Sequence, residues 1–262
     1  GIILFGSVFR TKIISIAEVE STQLPVLGII PYIKENTYVE EGQNSIMEEA
    51  FRRLRSNLRF LTDKGDKKCI LMTSTISGEG KSFTSINLAL TFAFLGCRVL
   101  IVGLDIRRPR LAEYFGIKSR TGMTTYLSGS DVELKDIIFP SGVHEHLFVV
   151  PAGPVPPNPA ELLERPRLKE AFMYFRGQFD YIIVDSSPVG MVSDTLSLNR
   201  VTDFTIYICR MNYTHKNTLA EITEMQRSGR LNQISLVVNG GNLAEKKYGY
   251  GYSYGYGNSN KK

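Results

Sequence analysis

Lys68-Cys-Ile-Leu-Met-Thr73-Ser-Thr-Ile-Ser-Gly78-Glu-Gly-Lys-Ser82 is the stretch that decides the fold. An apolar run of strand length enters a glycine-bearing loop. Residues 82–95 beyond it have helical length and stop at Gly96. Strand, glycine loop and helix in that order make a phosphate-binding loop. The loop nearly matches the Walker A pattern, with Thr75 where the first glycine normally stands. Gly78 and Gly80 let backbone N–H groups turn inward around phosphate oxygens. The helix aims its positive end at the same anion. Ser77, Gly78, Glu79, Gly80, Lys81, Ser82 and Phe83 are therefore the expected nucleotide contacts. Lys81 brings a point charge to the β- and γ-phosphates, and Ser82 offers a hydroxyl to Mg²⁺.

Outward from this loop, apolar runs alternate with amphipathic stretches. Strands are expected at 98–102, 147–150, 181–184, 204–209 and 234–238, besides 68–73. Helices are expected at 45–61, at 159–175 with an interruption at Pro166, and at about 216–228. Leu24-Pro-Val-Leu-Gly-Ile-Ile-Pro31 reads as a short edge strand or a connector bounded by prolines. Such alternation predicts an α/β fold of the P-loop NTPase type, a mostly parallel sheet with helices on both faces.

A phosphate-binding loop needs carboxylates nearby, and in a parallel sheet these belong at the C-terminal ends of strands. Asp105 follows one apolar run and Asp185 ends another, in Tyr181-Ile-Ile-Val-Asp185-Ser-Ser-Pro188. An apolar run ending in Asp is the Walker B form, so Asp185 is the expected Mg²⁺ carboxylate. His144 and His146 form an H-x-H pair with no further ligand cluster, and read as a surface loop.

The 262 residues are 43% hydrophobic and 22% charged, which is ordinary for a globular chain. A net charge of +5 is too small to argue for nucleic acid. Cys69, Cys97 and Cys209 are widely spaced, and reduced thiols in a reducing compartment are expected. No apolar run reaches about twenty residues. The apolar residues 1–9, followed by Arg10 and Lys12, read either as the cytoplasmic end of a transmembrane helix or as a core strand. From Lys246 the chain becomes a tyrosine–glycine repeat carrying Tyr248, Tyr250, Tyr252, Tyr254 and Tyr256. It has too little aliphatic bulk to offset its ordering entropy, so a disordered tail is expected.

Together these features resemble the bacterial tyrosine kinases (BY-kinases) of polysaccharide export. Residues 77–82 resemble their Walker A, 101–107 their Walker A′ and 182–188 their Walker B. Glu49-x-x-Arg52-x-x-Arg55 is similar to their oligomerisation motif, and Tyr248–Tyr256 to their C-terminal tyrosine cluster. The resemblance implies an ATP- and Mg²⁺-dependent autokinase with Lys81, Asp105 and Asp185 as catalytic residues. Ser82, Asp105 and Asp185 would stand at the metal, and the five tail tyrosines would be the acceptors. It implies a juxtamembrane activator at 1–30, a kinase domain at 31–243 and a tail at 244–262. It further implies a ring-like homo-oligomer, an octamer by resemblance, on the cytoplasmic face of the inner membrane. The implied partners are a membrane-embedded chain-length regulator and a tyrosine phosphatase, with no nucleic acid. One departure stands out: Gly103 occupies the place of the first Walker A′ aspartate. A nucleotide-gated scaffold with little catalysis, or a positioning or partitioning ATPase of the same superfamily, are the alternative readings.

Overall fold

A computed structural model describes residues 11–32, 38–62 and 69–241. Residues 1–10 and the tyrosine-rich tail lie outside the described residues. The eight strands among the described residues are β1 (Val26–Pro31), β2 (Cys69–Ser74), β3 (Val99–Leu104), β4 (Phe139–Pro140), β5 (Leu147–Val150), β6 (Tyr181–Ser186), β7 (Phe204–Arg210) and β8 (Ile234–Gly241). They form one sheet in the order β1-β8-β7-β2-β6-β3-β5-β4. Every neighbouring pair is parallel except β4 with β5.

The central strands are buried along their whole length because their residues are apolar on both faces. Alternation divides each strand between two cores. Ile70, Met72, Ile101, Ile183 and Ile206 point to one side. There they meet Phe51, Leu54 and Leu58 of α2 (Ile46–Thr62, the second helix after the short α1, Ile16–Glu20) and Ile86, Leu88 and Phe92 of α3 (Lys81–Ala93). Leu71, Leu100, Val184 and Tyr207 point to the other. The short helices α4 (Leu111–Tyr114), α5 (Met123–Leu127) and α6 (Pro159–Glu164) precede α7 (Pro166–Gln178) and α8 (Asn217–Arg227). Leu168, Phe172 and Phe175 of α7 and Leu219 and Ile222 of α8 fill this second core. No helix among the described residues is long and apolar enough to cross a membrane.

The segment 24–31 proves to be a strand: β1 pairs with β8 and forms one edge of the sheet. The expected helix at 159–175 is two helices. Arg165 takes ψ 144°, since a residue before proline is pushed out of the α region. The two-residue β4 and the one-turn helices α4 and α5 are too short to carry a periodic signal. α2 carries the motif expected to oligomerise, and its charges are met within the chain. Arg52 pairs with Glu48 at 2.6 Å, Arg53 pairs with Glu49 at 2.8 Å, and Arg55 donates to the Thr91 carbonyl.

Ahead of α1, residues 11–14 form a strap along the loop that follows β7. Ile13 N–H donates to Thr214 O at 2.9 Å, Asn212 N–H to Ile13 O at 2.8 Å, and Lys216 N–H to Thr11 O at 2.9 Å. Glu18 of α1 pairs with Lys216 at 2.6 Å, and Ile13, Ile16 and Val19 are buried.

Candidate active site

The glycine loop joins β2 to α3 at the C-terminal edge of the sheet. Gly78 and Gly80 take φ of 89° and 97°, which side chains rarely tolerate. A Cβ on Gly80 would also come within 2.2 Å of the Asn239 amide nitrogen. Three successive loop carbonyls are held by side chains from β7, β8 and the loop after β7. Tyr213 OH donates to Ser77 O at 3.0 Å, Arg210 Nη1 to Gly78 O at 2.7 Å, and Asn239 Nδ2 to Glu79 O at 2.9 Å. The first amides of α3 lack intrahelical acceptors and are available to an anion.

Glu79 differs from its expected role in one respect. Its side chain is fully buried, takes the Ile76 N–H at 2.8 Å and the Thr214 hydroxyl, and lies under the loop. Burial pushes its carboxyl above the usual range. Its backbone alone is placed to face a phosphate. Phe83 does line the cleft, and its ring packs edge-on to Phe51 at 5.9 Å between centroids. Thr75 takes its glycine position without strain and bonds the buried Tyr207 hydroxyl at 3.0 Å.

Lys81, Ser82, Asp105 and Asp185 come together in a cleft of about 460 Å³. Ser82 Oγ donates to Asp185 Oδ2 at 2.7 Å, and Ser85 Oγ to Oδ1 at 3.4 Å. Asp185 is 3% exposed. Burial pushes its carboxyl up to about 6, opposed by the Lys81 charge and the Ser82 hydroxyl and assisted by the charge of Asp105. Asp105 sits one residue past β3. Its Oδ1 accepts from Ser187 Oγ at 2.9 Å and from Arg108 N–H at 3.1 Å. Arg107 turns away and pairs with Asp194 at 2.6 Å. Arg108 and Arg110 line the rim.

Gly103 lies opposite Asp185 in the β3–β6 register and borders the same cleft. A Cβ there would meet Ala152 N at 3.2 Å and Leu111 Cδ2 at 3.3 Å. A side chain there would need Ala152 and Leu111 to give by a few tenths of an ångström. Among the described residues no three His, Cys, Asp or Glu side chains cluster as a metal site. His144 and His146 form no exception: their rings lie 5.6 Å apart, with His144 edge-on to Phe94. The oxygen donors Ser82 and Asp185 nevertheless suit Mg²⁺, which keeps waters and takes ligands from its substrate's phosphates instead of from a full protein cage.

Arg210, Tyr213, Thr214 and Asn239 are site residues that motif reading missed. Their signal was positional: they end or follow β7 and β8, at the edge of the sheet where ligands bind.

A family model described as an AAA domain matches residues 67–225. Tyrosine-protein kinase YwqD of Bacillus subtilis (strain 168) is 30% identical over 213 residues, 81% of this chain and 89% of that protein. Tyrosine-protein kinase CpsD of Streptococcus agalactiae serotype III (strain NEM316) is 33% identical, covering 77% of this chain and 86% of that one. The solved kinase domain of Escherichia coli tyrosine kinase ETK superposes with a TM-score of 0.77 at 25% identity, covering 91% of this chain and 98% of that domain.

Proposed function

Because this chain belongs to the bacterial tyrosine-protein kinases, we propose that it is an autokinase whose acceptors are its own tyrosines Tyr248, Tyr250, Tyr252, Tyr254 and Tyr256. The observation that carries this reading is the meeting of Lys81, Ser82, Asp105 and Asp185 in one cleft, in a chain that carries five alternating tyrosines at 248–256. The loop amides and Lys81 bind and orient the β- and γ-phosphates of ATP. Ser82 and Asp185, with Asp105 close by, would hold Mg²⁺, whose charge offsets that of the transferring group. Asp105 orients the incoming tyrosine and takes its phenolic proton. The bond from the γ-phosphorus to ADP breaks as the bond to the tyrosine oxygen forms. The chemistry is positioning and charge neutralisation.

From Gly240 to Tyr256 an extended chain spans on the order of 50 Å at about 3.3 Å per residue. That length serves a neighbouring subunit's cleft as well as its own. The decisive experiment is incubation with ATP and Mg²⁺ followed by mass spectrometry of the tail. Phosphate on several of the five tyrosines is the expected result. Free phosphate with an unmodified tail would sink the autokinase reading. A second reading, a nucleotide-gated scaffold with weak transfer, draws on the glycine at 103 in place of the first Walker A′ aspartate. Retained nucleotide with neither product would favour it.

The proposal extends to assembly. Each phosphotyrosine adds roughly −1.5 to −2 charge, so five add about −8 to −10, more than the chain's +5 offsets. The α2 face bearing Glu49, Arg52 and Arg55 is the proposed contact in a ring-like, octameric homo-oligomer that loosens as the tails are phosphorylated. The kinase would act beside a membrane-embedded chain-length regulator, at the cytoplasmic face of the inner membrane, in capsular or exopolysaccharide export. A tyrosine phosphatase would reset it. Support is the resemblance of the Glu49-x-x-Arg52-x-x-Arg55 motif and the tyrosine tail. Light scattering is expected to show a large species after phosphatase treatment and a smaller one after ATP. E49A with R52A should give the small species throughout. One identical size in all samples would overturn the switch.

A further inference from the structure

Asp105 stands beyond the last ladder residue of β3, so the sheet does not fix its side chain. A carboxylate that must receive a proton from an incoming hydroxyl loses rate with every competing rotamer. Arg107 does not hold it, being committed to Asp194. Two donors do, and both address the same oxygen: Ser187 Oγ at 2.9 Å and Arg108 N–H at 3.1 Å, each to Oδ1. Among the described residues Oδ2 carries no hydrogen bond. Of the two donors, Ser187 is the better anchored. It is 5% exposed. Its carbonyl accepts from Thr73 Oγ1 at 3.2 Å, Thr195 Oγ1 at 2.9 Å and Ser186 Oγ at 3.1 Å. β2, the end of β6 and the turn at 193–200 therefore converge on one peptide. The Arg108 amide, by contrast, belongs to an exposed loop residue.

We infer that Ser187 is a positioning residue for phosphoryl transfer: its hydroxyl, carried on a peptide whose carbonyl is held from three sides, locks Oδ1 of Asp105 and leaves Oδ2 as the oxygen presented to the acceptor tyrosine. The same hydrogen bond ties the end of β6 to the residue after β3. The carboxylate that takes the proton is thereby set relative to Asp185 at the phosphates. The backbone bond from Asp105 N–H to Asp185 O, 3.1 Å, makes the second rung of that tie. Ser187 does not line the cleft and acts only through Asp105. The inference rests on the proposed role of Asp105, and the test separates the two.

The test is a double-mutant cycle of S187A and D105N in the full chain, reading kcat for phosphotyrosine, KM for ATP and the affinity for a fluorescent ATP analogue. Alanine at 187 is smaller than serine and leaves the Arg108 amide on Oδ1, so no buried polar group is orphaned. S187A is expected to lower kcat about tenfold while KM and analogue affinity stay within twofold. Added to D105N it should cost nothing further, because a positioning residue has nothing left to position. Wild-type kcat in S187A, beside an inactive D105N, would overturn the inference and spare the role of Asp105. A parallel fall of kcat and nucleotide affinity, or losses that multiply in the double variant, would show a structural role and overturn it too. Wild-type turnover in D105N would remove the role of Asp105 and the inference with it.

Discussion

Lys81→Met is expected to lower affinity for ATP by hundreds- to thousands-fold, with phosphoryl transfer lost at any practical concentration. Lys81 is 8% exposed and opens α3, so its ammonium acts where solvent screening is weak. Removing one partner of such a buried charge pair costs about 3–5 kcal/mol, and each 1.4 kcal/mol is tenfold in affinity. A second effect acts in the same direction. The Lys81 charge is the first of the interactions that hold the Asp185 carboxyl down against burial. Without it Asp185 moves further from the charged form that Mg²⁺ requires. Calorimetric titration with ATP and Mg²⁺ measures the outcome, and an unchanged dissociation constant would refute the assignment of this loop.

Asp185→Asn is expected to move two observables in opposite directions. Activity with Mg²⁺ should fall on the order of 10²–10³-fold, the scale seen when one electrostatic partner of a transition state is removed. Stability without divalent ions should rise. The Asp185 carboxyl stands at about 6 in the fold, chiefly through burial, against about 3.9 for a free aspartate. Between roughly pH 4 and 6 the folded chain therefore binds more protons than the unfolded chain, and its stability falls as pH rises through that window. Two pKa units correspond to about 3 kcal/mol, present below pH 4 and gone above pH 6. Asparagine removes this cost at neutral pH and flattens the slope. Thermal unfolding of both proteins from pH 4 to 7.5 in EDTA checks the stability arm. A D185N variant less stable than wild type at pH 7 would show that the Ser82 and Ser85 hydrogen bonds outweigh the burial of charge.

Much of the site was legible because its parts lie close along the sequence. The loop at 77–82 carries its own glycines, lysine and hydroxyl, and the strand ends at Asp105 and Asp185 follow apolar runs that cannot be surface. The parallel sheet was legible for the same reason: strands buried on both faces read as nearly continuous apolar runs. What escaped depends on distant segments meeting. Nothing near Glu79 announces that Thr214 caps its side chain from beneath the loop, or that Asn239 closes over Gly80. The absence of an acid at 103 was visible as a letter, but its surroundings were not. Ala152 and Leu111, the latter eight positions later, come close to the place of a Cβ there. The edge strand β1 was ambiguous because two prolines bound a short apolar run, and only its pairing with β8 decides the matter.

Thr214 stands at a junction between the strap and the phosphate loop. Its carbonyl accepts the Ile13 amide, and its hydroxyl bonds Glu79. Tyr213 beside it holds the Ser77 carbonyl. One short loop therefore grips the chain's residues 11–14 with one side and the nucleotide's cradle with the other. Thermodynamic reciprocity gives this a definite consequence. Whatever free energy docking of the strap contributes to order in the cradle, a nucleotide seated in the cradle returns in equal measure to the docking of the strap. The two events, on two sides of the six-residue loop 211–216, share a single equilibrium.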